Sequence, residues 1–320
     1  MADLVKLYTA EDVAKHVKDA DPNYVWNFAY GANLNPNALT KRRKIYPACS
    51  VAGVLYGWEL RFNCRGFPAF EPGFANVQRT DVPNAQVHGV LHRMTRAEAD
   101  HLMKTEGGGG YDDLPGYKWT EVEAETYTGE RVKAFTLCMS QTHAGLLPSN
   151  RYLTLIRNGA AWHKLHPQYL QWLNAYPGNS AGWGARLYLL LCAIVLLPLV
   201  LLLVAGFVLF RRSHATHKLA YYAQNIVWFM HCQTCRSDKS AGVPDTFTLP
   251  QRAPFPYPVT VTSPQWTDAE RAGGIDAKLR GRAAASAAAG AAGDGGDAKA
   301  AELAVAQSVQ AQGQGSKKAD

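Results

Sequence analysis

The sequence predicts an α+β fold: a small mixed β-barrel-like sheet with flanking helices, followed by a single transmembrane helix and a disordered tail. Strand-like segments come in groups and do not alternate with helices as they would in a doubly wound fold. Glycines interrupt several of these segments, which favours a curved sheet or small barrel over a flat sheet. The composition changes sharply after about residue 180, so the 320 residues do not divide into two equal globular halves.

The first half of the chain supplies a short helix and four strand-like segments. Residues 9–18 begin with a hydroxyl, carry acids in the first turn and end in bases, a pattern typical of a short helix. Alternating or apolar runs then predict strands at residues 24–30, 51–63, 73–79 and 86–94. We expect the second of these to be one long strand, and Gly89 to break the fourth.

A helix is predicted between the fourth strand and the next strand pair. Thr95 and Glu98 have the spacing of a capping box, and the helix that they open ends at Glu106, where glycines 107–110 stop it. Alternating residues then predict a hairpin that turns at Gly129. Two further helices complete the domain, with their starts marked by prolines: Pro148 and Pro167.

The loop after the first strand is the most informative stretch of the chain. Gly31 can adopt backbone angles that bring consecutive N–H groups into one concavity, and Asn33, Asn35 and Asn37 can cap a following short helix. Such a loop can hold a carboxylate or an oxyanion. A buried strand that simply leaves a sheet is the alternative. The candidate loop residues are Asn27, Phe28, Ala29, Tyr30, Gly31 and Ala32.

Charge and cysteine content narrow the expected partners. The net charge is +7, but the basic residues cluster and lack interleaved base-stacking aromatics, so we expect no nucleic acid partner. The six cysteines show no disulfide framework, and no apolar signal segment precedes the first domain, which indicates a reduced, cytosolic domain. Cys232 and Cys235 form a single CxxC pair, which is too little to predict a metal site, and no cofactor is expected.

Residues 187–210 contain no charged side chain over a length sufficient to cross a hydrocarbon layer of ~30 Å. This pattern predicts a single-pass membrane protein that contacts the membrane through this segment. Arg211 and Arg212 would place the tail in the cytosol by the positive-inside rule. The absence of a signal segment argues instead for a cytosolic N-terminal domain, which is the orientation we expect.

The chain is therefore expected to contain five segments. The tail segment is defined by a proline-rich stretch and then by alanine, glycine and glutamine without aromatic residues, a composition typical of disorder. The predicted segments are an N-terminal helical extension (1–23), a folded domain (24–180), the transmembrane helix (187–210), a juxtamembrane segment (211–249) and a low-complexity tail (250–320).

Three separated motifs resemble the gamma-glutamylcyclotransferase family, also described as AIG2-like. They are FAYGANL from Phe28 to Leu34, VHGVLHRM (87–94) followed by a helix that ends at Glu106, and PSNRY (148–152) before paired helices. Their order and spacing match the family over roughly residues 24–176. The resemblance implies a β-barrel-like α+β fold with a substrate cavity at the loop. It also implies release of 5-oxoproline and a free amino acid from a small gamma-glutamyl compound, a reaction of glutathione metabolism.

That reaction requires the α-amine of the substrate, with a pKa of ~8, to lose a proton and the leaving amine to gain one. The resemblance assigns both roles to Glu106 as the catalytic general base and acid. It also places Tyr152 in the substrate cavity beside the loop residues, although a core-packing tyrosine is an equal alternative. Tyr30 has the same two interpretations, with core packing favoured for its ring.

Two departures from the family pattern keep a second class of function open. Ala32 stands where the family commonly has serine, and the run 107–110 is shorter than usual, which leaves the role of Tyr111 open. The sequence does not separate gamma-glutamyl amino acids, gamma-glutamylamines and glutathione as substrates. The alternative function is a non-catalytic ligand-binding or membrane scaffold domain that keeps the cavity.

Overall fold

The structure, a computed structural model, describes residues 5–8, 10–67, 70–106, 116–179, 243–250, 261–264, 266, 268–281 and 284, with isolated positions between 183 and 228. The strands are β1 (Val5–Tyr8), β2 (Tyr24–Ala29), β3 (Cys49–Tyr56), β4 (Trp58–Phe67), β5 (Glu71–Arg79), β6 (Gln86–Thr95), β7 (Tyr117–Thr126), β8 (Arg131–Met139) and β9 (Val261–Pro264). The helices are α1 (Ala10–Lys18), α2 (Arg96–Thr105), α3 (Asn150–Trp162), α4 (Pro167–Ala175) and α5 (Asp268–Ala272), and short helical turns follow β2 at Ala32–Leu34 and Ala38–Arg42.

Five strands form a closed barrel in the order β2-β6-β3-β7-β8. Neighbouring strands within this order pair in antiparallel fashion, whereas β8 closes the barrel on β2 in parallel, with Phe135 opposite Asn27. The barrel confirms the predicted mixed, curved sheet of an α+β fold. The hairpin of β4 and β5 forms a separate two-stranded sheet.

Glycines shape this architecture differently from the prediction. The expected single strand over residues 51–63 is wrong, because Gly57 has a φ of 75° and separates β3 from β4. Gly89 does not break β6, since the strand runs through it. A Cβ atom at Gly89 would lie 2.4 Å from the carbonyl oxygen of Ala29, so this glycine allows β2 and β6 to approach closely.

The predicted helix starts are confirmed by their caps. The Thr95 side chain accepts a hydrogen bond from the Glu98 backbone N–H, and the Glu98 carboxylate accepts one from the Thr95 N–H, which completes the capping box of α2. Ser149 caps α3 by accepting from the Tyr152 N–H at 3.0 Å. Pro167 occupies the first turn of α4, as expected for a residue without an N–H group.

One hydrophobic core fills the barrel and extends to α3 and α4. Its fully buried members include Phe28 from β2, Leu91 from β6, and Leu153, Ile156 and Tyr169 from the two helices. Burial of such side chains contributes roughly 1.5–3 kcal/mol each. Packing of α3 on this core determines which of its residues face the end of β2.

Parts of the predicted juxtamembrane segment and of the predicted tail are folded. Phe247 is buried, its carbonyl accepts a hydrogen bond from the Gln86 N–H at 3.1 Å, and the Gln86 side chain donates to the Leu249 carbonyl at 2.7 Å. Strand β9 pairs with β1 in antiparallel fashion. Residues 243–250 and 261–264 are therefore part of the folded protein, and the boundaries predicted for the N-terminal extension and the folded domain stay predictions.

The expected single-pass membrane location is corrected by the structure. Among the residues that it describes, no helix combines the length and the apolar character that crossing a bilayer requires. From the predicted span 187–210 the structure describes only Leu187, Leu190, Leu191 and Ile194. The membrane prediction followed chiefly from the continuous apolar run in the sequence.

Candidate active site

A cavity of about 440 Å³ opens where β2 ends. Its wall includes every loop residue predicted from the sequence: Asn27, Phe28, Ala29, Tyr30, Gly31 and Ala32. Glu106, at the C-terminal end of α2, and Tyr152, in the first turn of α3, line the same cavity. The fold thus brings together residues that are more than a hundred positions apart in the sequence. Their roles stay predictions.

The Glu106 carboxylate is held through one of its two oxygens. Its Oε1 atom lies 2.6 Å from the Arg43 guanidinium and accepts a hydrogen bond of 2.8 Å from the Asn33 side-chain amide. Its Oε2 atom has no hydrogen-bond partner among the described residues. The side chain is one-fifth exposed, so the carboxylate is fixed in orientation and still has one oxygen that a ligand can reach.

Arg43 connects the chain after β2 to the end of α2. Besides its ion pair with Glu106, it donates from Nε to the Asn33 carbonyl-type oxygen Oδ1 at 3.0 Å and from Nη1 to the Thr105 hydroxyl at 2.5 Å. Charge-assisted bonds of this kind are stronger than neutral ones. The arrangement fixes the position of the Glu106 carboxylate on the cavity wall.

Of the three loop asparagines predicted to cap a short helix, Asn35 does so. Its side chain accepts a hydrogen bond of 3.0 Å from the Asn37 N–H, at the start of the helical stretch 36–43. Asn37 makes no side-chain cap, and Asn33 directs its amide to Glu106. The Asn33 side chain therefore binds the Glu106 carboxylate and does not cap a helix.

The Tyr152 hydroxyl contacts the loop. It accepts a hydrogen bond from the Ala75 N–H at 3.4 Å. A Cβ atom on Gly31 would lie 3.1 Å from this hydroxyl, so the glycine leaves room for it. Burial raises the pKa of Tyr152, so the group stays a neutral hydroxyl whose proton can be donated within the cavity.

Two further tyrosines line the cavity with hydroxyls that are already bound. The Tyr30 hydroxyl donates to the Leu137 carbonyl, and the Tyr117 hydroxyl donates to the Ala75 carbonyl at 2.6 Å. Burial raises the pKa of both groups well above its ordinary value. Tyr30 is buried in the core and also lines the cavity, and its role in binding a substrate stays a prediction.

Several cavity residues escaped sequence analysis. They are Asn33 in its contact with Glu106, Ala75, Thr105, Tyr117 and four arginines: Arg42, Arg43, Arg65 and Arg151. Arg42 and Arg43 belong to a basic run typical of a solvated surface, and Asn33 and Arg151 lie within the FAYGANL and PSNRY motifs without a predicted place in the cavity. The remaining residues lie on strands or at a helix end without a local motif, and only the folded chain places all of them around one space. Glycines 107–110, Tyr111, Cys232 and Cys235 lie outside the described residues.

The chain is similar to a protein-family model and to several solved structures. Residues 86–173 match the AIG2-like family model. Structures with a similar arrangement include an uncharacterised human protein (23% identity, 50% of this chain and 92% of that one, TM-score 0.45) and a gamma-glutamyl cyclotransferase (23%, 49% and 89%, 0.43). A yeast gamma-glutamyl cyclotransferase described as specific to glutathione is 13% identical. The match covers 47% of this chain and 94% of that one, with a TM-score of 0.34.

Among curated proteins, none matches the chain. The family match covers β6, α2, the β7–β8 hairpin, α3 and most of α4, and therefore includes both Glu106 and Tyr152. The loop after β2 lies outside it. The part of the chain from residue 86 to residue 173 is thus similar to the AIG2-like family.

Proposed function

We propose that the protein is a gamma-glutamylcyclotransferase, which converts gamma-glutamyl amino acids or related gamma-glutamyl compounds to 5-oxoproline and the free amine. The observation that carries the proposal is the Glu106 carboxylate, which is fixed through Oε1 and open at Oε2 on the wall of the loop cavity. The cavity volume of about 440 Å³ falls in the usual range for small-molecule sites, roughly 300–1,000 Å³.

The first step is proton removal. The substrate's α-ammonium group must give its proton to Glu106 Oε2 before its nitrogen can attack the γ-carbonyl carbon. Ring closure then forms the new C–N bond and moves negative charge to the carbonyl oxygen. Hydrogen-bond donors in the cavity stabilise that oxygen, and the neutral Tyr152 hydroxyl is one such donor.

The second step is collapse of the tetrahedral intermediate. The bond to the leaving nitrogen breaks, the carbonyl re-forms, and the protonated Glu106 returns its proton to the leaving amine. The ring nitrogen still carries one extra proton, which the Glu106 carboxylate removes and passes to the departing amine, so that the products are a neutral lactam and an ammonium group. One carboxylate serves both transfers because attacking and leaving nitrogens are attached to the same carbon at that stage. The contacts of Arg43 and Asn33 with Oε1 keep the carboxylate in place between the two transfers.

The test is release of 5-oxoproline from gamma-glutamyl-alanine by the full-length chain. Glu106→Gln preserves the size of the side chain and its contact with Arg43 on one oxygen but removes the base, so we expect turnover to fall by about 10²-fold or more. Asp100→Asn is the matched control, because Asp100 is an exposed acid on the same helix. It should leave turnover unchanged.

Binding separates the two classes of function. We expect calorimetry to detect gamma-glutamyl-alanine binding to Glu106→Gln at an affinity close to that of the unchanged protein, since the substitution removes chemistry and not the cavity. Equal turnover by the unchanged protein and Glu106→Gln would contradict the mechanism. Binding without turnover by either protein would replace the proposal with a non-catalytic ligand-binding domain.

A further inference from the structure

The cavity carries more positive than negative charge among the described residues that line it. Four arginines, Arg42, Arg43, Arg65 and Arg151, face a single carboxylate, Glu106. Arg43 is paired with Glu106, and Arg151 is paired with Glu71. Neither Arg42 nor Arg65 has a carboxylate partner within the described part of the chain. Such an excess of guanidinium groups favours a ligand with additional negative charge.

Arg65 is the better placed of the two. It lies on β4, and its guanidinium carbon is 5.3 Å from the centre of the Trp228 ring, a distance typical of a cation–π contact. Its Nη1 group donates to the Asn225 side chain at 3.4 Å. The Trp228 ring is itself fixed, because it is buried and its indole N–H donates to the Gly66 carbonyl at 2.9 Å.

The guanidinium of Arg65 also has unused donor capacity. Its Nε atom is buried and has no hydrogen-bond partner among the described residues. A buried donor without a partner costs free energy, which a ligand oxygen would recover. Arg42, by contrast, is exposed to solvent. Arg65 therefore combines a fixed position, a cavity-facing location and a donor that remains to be satisfied.

The proposed reaction indicates which part of a substrate Arg65 would meet. The α-amine must reach Glu106, and the α-carboxylate is attached to the same carbon, so both belong near the loop and α2. The leaving group lies at the other end of the γ-amide. The β4–β5 hairpin reaches the loop at Ala75, which a Cβ atom on Gly31 would meet at 3.5 Å, and Arg65, paired with Gly73, lies further along the hairpin toward its turn. A second carboxylate on the leaving group is the ligand chemistry that suits this arginine.

We infer that Arg65 binds the carboxylate of the leaving group and so determines specificity for gamma-glutamyl-α-amino acids over gamma-glutamylamines. The inference rests on the proposed function and adds a substrate class to it. Trp228 acts as a positioning residue, which keeps the guanidinium at the cavity wall. A bidentate contact with a carboxylate is the geometry that guanidinium groups favour.

The experiment compares two substrates that differ only in this carboxylate: gamma-glutamyl-alanine and gamma-glutamyl-ethylamine. For the full-length protein we expect kcat/KM to be at least tenfold higher with gamma-glutamyl-alanine. Arg65→Met should lower that ratio at least tenfold, because it removes the charge while keeping much of the side-chain volume. Arg65→Lys should restore part of the ratio, since it returns the charge without the planar pair of donors.

A matched control is available on the neighbouring strand. Arg79 lies over the Trp58 ring at 5.0 Å in the same type of contact, and it is not part of the cavity wall. Arg79→Met should therefore leave the ratio of the two kcat/KM values unchanged. Equal losses with both substrates in Arg65→Met, or a ratio that it leaves unaltered, would overturn the inference while the proposed function stands.

Binding keeps the inference testable if the proposed function fails. With Glu106→Gln as the background, calorimetry measures both gamma-glutamyl compounds without turnover. Tighter binding of gamma-glutamyl-alanine that is lost on adding Arg65→Met supports the inference even when the unchanged protein releases no 5-oxoproline. Equal binding of both compounds in the presence of Arg65 would contradict it.

Discussion

His92 contacts the backbone of Asn33, a residue of the candidate active site. It is fully buried on β6, where its Nε2 atom lies 3.2 Å from the Asn33 carbonyl oxygen and its Nδ1 atom lies 2.8 Å from the Ser50 hydroxyl. The Asn33 side chain in turn contacts Glu106. Burial lowers the pKa of His92 to about 4, and the hydrogen bond with Asn33 opposes that change only in part.

The first prediction concerns acid stability. The pKa of His92 is 6.5 in its ordinary state and about 4 when folded, so the unfolded chain takes up a proton near pH 6.5 that the folded protein does not. The stabilisation is present above pH 6.5 and declines as the pH falls toward 4. Urea unfolding at several pH values should show this decline, and His92→Gln should make it less steep.

A partly exposed histidine on α2 provides the comparison for this prediction. His101 has a lowered pKa chiefly because of its own partial burial, which is much smaller than that of His92. We expect His101→Gln to change the pH dependence less than His92→Gln does. An identical slope for the unchanged protein and His92→Gln would show that His92 does not couple folding to protonation.

At the level of single residues, the sequence identified the cavity positions that lie in local motifs. Glu106 was expected from its place at a helix end and from the family resemblance, and Tyr152 from the motif before α3. The contact of Arg43 with Glu106 joins residues 63 positions apart. The basic run that contains Arg43 has no feature from which this partner could be predicted. Pairing of that kind depends on how the elements fold together.

At the level of elements, α3 is positioned by a close approach to the loop. A Cβ atom at Gly159 would lie 2.5 Å from the Leu34 carbonyl carbon and 2.6 Å from the Asn35 nitrogen. Gly159 therefore lets the helix that carries Tyr152 pack directly on the turn that follows Ala32. The glycine is part of the framework that sets the distance between the two cavity walls.

The second prediction follows from this contact. Alanine favours a helix over glycine by about 1 kcal/mol, but overpacking against backbone costs roughly 1–3 kcal/mol, and the backbone of Leu34 and Asn35 cannot rotate away. Gly159→Ala should therefore lower the free energy of unfolding and reduce 5-oxoproline release. Urea denaturation measures the first effect. Gly281→Ala, at a helical position with open space, should cause no loss of stability.

Local chemistry made the helices easier to predict than the strands. The capping box of α2 and the proline of α4 act within a few residues, so their signals are complete in the sequence. The break between β3 and β4 depends on the positive φ of Gly57, whereas Gly53, four residues earlier, stays within its strand. The presence of a glycine in the sequence does not show whether the strand ends there, as at Gly57, or continues through it, as at Gly53.

At the level of the whole molecule, the C-terminal segment contributes to the domain. Phe247 packs against the rings of His88, Tyr169 and Trp172, and the Trp172 indole N–H donates to the Asp245 carbonyl at 2.8 Å. The sequence assigned this segment to a juxtamembrane region because its composition gives no packing signal. A short stretch with a single aromatic residue and no periodic apolar pattern cannot be distinguished from a linker by its sequence.

The third prediction tests this packing. Phe247 is 8% exposed, and truncation of a buried phenylalanine costs about 3–5 kcal/mol through lost transfer energy and the cavity left behind. Phe247→Ala should lower the urea midpoint of the full-length protein with little change in the m-value. Val82→Ala, at a residue that is 41% exposed, should change stability by less than about 0.5 kcal/mol. Equal midpoints for the two variants would show that the segment does not pack in solution.

The parallel pairing of β2 with β8 has a consequence for assembly. Its one register pair joins Asn27 to Phe135 across 108 residues, and both strands contribute to the cavity wall. Closing so long a loop costs chain entropy, and the contacts within single hairpins and helices do not offset this cost. No fragment that lacks either strand can contain the complete pocket. We therefore expect catalytic activity only in chains whose barrel has closed completely. Partially synthesised or cleaved chains that lack either strand should show no activity.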